Sequence, residues 1–122
     1  MRLTPPLLIL TLFALLAGCG PSHPPLAGNK WADSLHDPDP TVRKKAAFTL
    51  GNIGSSDPSV VPALLEALKD SDASVRREAI LALVKCGNDA SEAIPILTQM
   101  REHDPDQDVR QHATKALQRL QD

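Results

Sequence analysis

Residues 69–87 read KDSDASVRREAILALVKCG, and the same pattern stands 33 residues earlier and 34 residues later. The earlier copy, residues 36–54, is HDPDPTVRKKAAFTLGNIG; the later one, residues 103–121, is HDPDQDVRQHATKALQRLQ. Asp37, Asp70 and Asp104 share a column, as do Asp39, Asp72 and Asp106. So do Val42, Val75 and Val109, each followed by Arg43, Arg76 or Arg110, then Ala46, Ala79 and Ala113, then Leu50, Leu83 and Leu117. So many coincident columns at a fixed period mark a repeat array, in which no single copy can bury its apolar face alone.

Each copy reads as a helix. Val75, Ala79, Ala82, Leu83 and Cys86 follow the i, i+4, i+7, i+8, i+11 spacing of one helical face. Asp39, Asp72 and Asp106 stand as N-caps, where a carboxylate accepts from orphan amides at the positive helix end. Pro40 suits the first helical position, and Gly51, Gly54 and Gly87 are expected to mark the far ends. Ahead of the last two copies lie shorter amphipathic runs, SVVPALLEALKD from Ser59 and SEAIPILTQMRE from Ser91. Ser59 and Ser91 are expected to cap them, and Pro62 and Pro95 fall in the first turn, where no intrahelical N–H is lost. The first copy has a shorter partner over Lys30 to Leu35, with Trp31 and Leu35 apolar. The expected fold is all-α, a short stack of three antiparallel helix pairs covering residues 30–122. Aromatic residues make up only 2% of the chain, so its core must be aliphatic.

The period admits tetratricopeptide or ankyrin repeats, but neither the W-x2-L-G-x2-Y nor the T-P-L-H signature is present. The copies, with VVPALLEALKDSDASVRREAILALVKCG, resemble HEAT-like repeats of the kind first associated with phycobilin lyases. The resemblance implies a right-handed α-solenoid. It also implies an inter-repeat ladder of Asp37, Asp70 and Asp104 with Arg43, Arg76 and Arg110, a structural role and not a site.

The first residues are of another kind. Arg2 supplies a positive start, and Leu7 to Ala17 form an apolar run of about 17 Å as a helix, short of the ~30 Å of hydrocarbon in a bilayer. The run reads as a signal-peptide core over residues 1–18. Leu16, Ala17, Gly18 and Cys19 resemble the lipobox of bacterial lipoproteins. The resemblance implies cleavage before Cys19, acylation of its sulfur and new amino group, and stable membrane anchoring by several acyl chains. Gly20 in place of Asp after the cysteine implies an outer-membrane address, facing the periplasm, where the cell has two membranes. Residues 19–29, rich in Pro and Gly, are expected to be a semi-extended tether reaching about 30 Å at ~3.1 Å per residue. His23 is read as a solvated linker residue. A lipidated Cys19 leaves Cys86 as a single thiol. Its column holds Ile53 and Leu120, which favours an inert core position over a reactive sensor.

Catalytic motifs are absent: there is no Gly-rich phosphate loop and no G-x-S-x-G. His36-Asp37 and His103-Asp104 are ligand-type residues in equivalent columns. They belong to repeats one and three, roughly 20 Å apart if stacked helices lie ~8–10 Å apart, and zinc needs its ligands at about 2 Å. No metal or cofactor is expected. His112 shares a column with Lys45 and Glu78 and is expected to be solvated. The net charge is −2, and loss of Arg2 with the leader makes it −3. That sign argues against a nucleic-acid partner.

What remains is surface. Opposite the core face of the second helices lie Lys44, Phe48 and Gly51, then Arg77, Leu81 and Val84, then Gln111, Lys115 and Gln118. In stacked repeats this becomes the concave surface. Phe48, Leu81 and Val84, flanked by Lys44, Arg77 and Lys115, form a candidate groove for a protein segment with apolar anchors and acidic flanks. Packing of Phe48 and Leu81 between neighbouring helices is the competing reading. The sequence thus points to a membrane-anchored lipoprotein, not an enzyme, that binds or scaffolds another protein. The alternatives are a lyase-like chaperone of chromophore attachment, by analogy with the resembled family, and a structural subunit of an envelope complex.

Overall fold

The computed structural model describes residues 27–122. The residues read as signal peptide and lipobox, with Cys19 and His23, lie outside the described residues. Helix α1 spans Ala27–Ser34, α2 Pro40–Ile53, α3 Val60–Ala67 and α4 Ala73–Cys86. A 3-10 segment, Gly87–Ala93, leads into α5, Ile94–His103, and α6 spans Gln107–Gln121. There is no strand among the described residues. The helices pair as α1/α2, α3/α4 and α5/α6, and α2, α4 and α6 stack on one another as an inner layer. This is the short α-solenoid expected from the repeat columns.

Ala46, Leu50, Ala79, Leu83, Ala113 and Leu117 are all buried, together with Leu64 and Leu97 from the outer helices. Cys86 is buried with them, and burial, aided by Asp89, pushes its thiol pKa up. The Val column splits by position in the stack. Val75 and Val109 are wholly buried, but Val42 is 36% exposed, because no described helix pair precedes the first repeat.

The aspartates cap as expected. Asp39 accepts from the Thr41 amide, Asp72 from the amides of Ser74 and Val75, and Asp106 from that of Val109. The Ser74 hydroxyl also donates to Asp72, and with the Val75 amide it holds that carboxyl below its ordinary pKa. Gly54 and Gly87 close α2 and α4 with φ of 75° and 64°, the left-handed region that glycine enters without a Cβ penalty.

Four sequence expectations are corrected. Gly51 is no helix end: α2 runs on to Ile53, and a Cβ at Gly51 would lie 2.8 Å from the Cα of Ala82. It is the point of closest approach between α2 and α4. Ser59 and Ser91 make no side-chain cap: Ser59 gives its amide and hydroxyl to Asp57 instead, and Ser91 falls within the 3-10 segment. The third correction is the boundary of the tether. Ala27, Gly28 and Asn29, assigned to it from sequence, form the first turn of α1. The buried Gly28 donates its amide to Asp57 Oδ2 at 2.9 Å, and a side chain there would strike that carboxylate. Hydrogen bonds from the Ser59 hydroxyl, the Ser59 amide and the Gly28 amide hold Asp57 below the usual carboxylate range. His112 is the fourth. It is half-buried, not solvated, with Nδ1 2.7 Å from the Asp108 carbonyl oxygen.

Candidate functional site: the inner face of the stack

The inter-repeat ladder holds the inner layer in register. Arg43 donates from Nε and Nη2 to Asp70 at 2.8 and 3.1 Å, and Arg76 does the same to Asp104 at 2.9 and 3.0 Å. The forked geometry matches both carboxylate oxygens at once. Each arginine also donates from Nη1 to a carbonyl six residues back, Asp37, Asp70 or Asp104. The first Asp of each D-x-D turn in addition accepts the amide of the second at 2.8 to 2.9 Å. One motif therefore closes the turn, caps the helix and ties repeat to repeat. Bonding to Asp70 raises the Arg43 pKa further.

The two layers are spaced differently. Small residues line the inner seams, with Gly51 against Ala82, and Ala113 and Ala116 buried on α6. In the outer layer α1 touches α3, but between α3 and α5 the 3-10 segment intervenes. That connection, Gly87–Ala93, is one residue longer than its counterpart at 54–59, which accounts for the change of offset from 33 to 34. The inner seam of α2 and α4 is thus close, while the outer layer opens between α3 and α5. An outer groove of about 490 Å3 opens beside Ile96 and Met100, against about 200 Å3 between the first two repeats.

On the inner face, Ile80, Leu81 and Val84 of α4 and His112, Lys115, Ala116 and Arg119 of α6 line a groove of about 260 Å3. Leu81 is 40% and Phe48 48% exposed. The structure thus brings Leu81, Val84 and Lys115 together. Phe48 lies one groove along, where the Lys85 ammonium sits 4.8 Å from the ring centroid and donates to Asn52 Oδ1 at 3.0 Å. Arg77 is 3.8 Å from Asp108, an ion pair bridging α4 and α6, and Lys44 is solvent-exposed.

The D-x-D turns, the arginine fork and the small-residue seams describe a stack of HEAT repeats, and the HEAT-repeat sequence profile matches residues 28–118. The chain belongs to the HEAT-repeat family. The match begins within the first turn of α1, and it identifies HEAT repeats as a class. No curated protein is significantly similar in sequence.

Sequence reasoning missed Arg119, His112 and Ile80 as groove residues. Arg119 had a legible signal: it shares a column with Lys85, and it lines the same groove as Leu81, while Lys85 lies over Phe48. The inner helices of these HEAT repeats are strongly basic. Arg43, Lys44, Lys45, Arg76, Arg77, Lys85, Arg110, Lys115 and Arg119 stand against Glu78 and Asp108, in a chain of net charge −2. The acidic residues are concentrated in the turns and connections, where they cap helices and hold arginines.

His36 and His103 line different outer grooves, His36 with Glu66 and His103 with Asp104. Among the described residues no three His, Cys, Asp or Glu side chains converge as a metal site. No described helix is long and apolar enough to cross a membrane.

Proposed function

We propose that this chain is a lipoprotein anchored through Cys19, probing its surroundings from a membrane and binding or scaffolding a partner protein with the inner face of its HEAT repeats. The observation that carries the binding role is the α4/α6 groove. It has an apolar floor of Ile80, Val84 and Ala116, exposed Leu81 at its edge, and only basic or imidazole side chains on its rim. Large aliphatic and aromatic side chains left this exposed on a basic surface suit a protein ligand with complementary charge. Anchoring rests on the four lipobox residues, and an outer-membrane, periplasm-facing address rests on Gly20.

Two experiments test the reading. A photocrosslinking amino acid at Leu81 in the native cell should give a discrete protein adduct, and the same probe at Glu66, exposed on the outer layer, should not. Adducts at Glu66 alone would place binding on the outer helices. Metabolic labelling with an alkyne fatty acid should tag the wild-type chain and not Cys19→Ala; equal labelling of both, or of neither, would refute the anchor.

A further inference from the structure

The columns of the inner face carry an order as well as a charge. The column that holds Phe48 on α2 holds Leu81 on α4 and Lys115 on α6. Read across the stack, the surface is apolar, apolar, then basic, and Arg119 reinforces the basic end beside the same groove. Among the described residues no acidic side chain lines that groove. A helix, about 10–12 Å across with its side chains, would lie on top of a cleft of this size and not in it. Packed helices are ~8–10 Å apart, and a polyproline II segment, with three residues per turn and ~3.1 Å rise, advances about 9 Å per turn. A polyproline II segment crossing the inner helices therefore turns every third side chain to the same face and presents it to successive helices.

Resting on the protein-binding role proposed above, we infer that the partner segment binds in polyproline II conformation and carries two large apolar side chains and then an acidic one at three-residue spacing. The first apolar side chain rests on the exposed part of Phe48. The second enters the α4/α6 groove beside Leu81 and Val84. The carboxylate pairs with Lys115 and Arg119, which have no carboxylate neighbour in that groove.

The test uses the full-length chain in neutral detergent, isotope-labelled for NMR. One probe peptide has the order Leu-Ser-Ser-Leu-Ser-Ser-Glu. A second has the same composition with Glu placed between the two leucines. The first should shift the signals of Leu81, Val84 and Lys115 and bind at least tenfold more tightly than the second. The double reversal Lys115→Glu with Arg119→Glu, at two exposed positions, should abolish binding of the first peptide. A peptide ending in Lys should then bind the reversed protein, which shows that the variant is folded. Equal affinity for the two peptides, or no shift with either at millimolar concentration, overturns the inference. Shifts caused by phosphatidylglycerol-doped micelles and by neither peptide overturn it too, and make the face a lipid contact. If Leu81 crosslinks a protein in cells while the peptides bind equally, only the ligand order fails. If Leu81 gives no protein adduct, the binding role itself fails.

Discussion

Arg43, Arg76 and Arg110 occupy one sequence column, yet their replacement by alanine should give unequal losses of stability. Arg76 is the most deeply set: its side chain is 11% and that of Asp104 5% exposed, and the two are joined by both arms of the fork. Arg76→Ala leaves the Asp104 carboxylate buried without its cation, a change that costs about 3–5 kcal/mol. Arg110 donates to the carbonyl of Asp104 at 2.7 Å, and among the described residues no further Asp follows it in the stack. Arg110→Ala therefore loses one part-buried hydrogen bond to a neutral carbonyl, about 1 kcal/mol. Arg43→Ala should fall between the two. The ranking is read from urea unfolding of the full-length chain, with equal slopes as the check on two-state behaviour. A loss as large as that for Arg76 approaches the whole stability of a small domain, ~5–15 kcal/mol. Arg76→Lys is the measurable companion: it keeps the charge, loses the fork and should cost less than Arg76→Ala. Losses for Arg76→Ala and Arg110→Ala that agree within about 0.5 kcal/mol, the usual size of a neutral surface change, would refute the ladder as the tie between repeats.

Gly51→Ala should destabilise by about 1–3 kcal/mol, because overpacking against the Ala82 backbone outweighs the better helix propensity of alanine; a gain in thermal midpoint would show that α2 and α4 are not so close. Gly54→Ala should also destabilise, by about 1–3 kcal/mol, because its φ of 75° with ψ of −174° lies in a region almost restricted to glycine, read by the same unfolding curve. Asp57 and Asp72 have folded-state pKa values below their unfolded ones, so the stability they contribute is present above the unfolded value near 3.9 and is lost as pH falls through the lowered one. The thermal midpoint should therefore drop below about pH 4, less steeply in Asp57→Asn; an unchanged slope in that variant counts against the assignment. Cys86 should react slowly with a thiol reagent at pH 8 until denaturant is added, since burial raises its pKa and hides the sulfur; rapid native-state labelling would contradict the buried position. Phe48→Ala and Leu81→Ala should leave the unfolding midpoint within about 0.5 kcal/mol of wild type, given their exposure, and a large loss would return both residues to packing roles.

The candidate groove was partly legible. Column arithmetic placed Leu81, Val84 and Lys115 on one side of the second helices, and they line one groove. It also grouped Phe48 and Arg77 with them, but Phe48 lies in the adjoining seam under Lys85, and Arg77 is engaged by Asp108. Helical phase tells which way a side chain leaves its own helix. It does not tell which seam between helices that side chain enters, nor which neighbour reaches across to meet it. Arg119 and His112 were passed over for that reason.

For the helical phase and the N-caps of α2, α4 and α6, sequence was sufficient. The 33- and 34-residue offsets, the capping aspartates and the alanine and leucine columns are local or periodic features, set by 3.6-residue geometry and by orphan amides at helix starts. Tertiary structure decided what depends on a neighbour. It made Gly51 a close approach and not a terminus, and it turned Ser59 from the expected cap of α3 into a donor to Asp57, whose carboxylate holds the start of α1. It also broke the equality of the columns. Val42 is exposed where Val75 and Val109 are buried, and among the described residues Arg110 has no carboxylate of the kind that Arg43 and Arg76 grip. Repeats are alike in what each carries and unlike in what stands beside it, and only stacking in three dimensions supplies the second term.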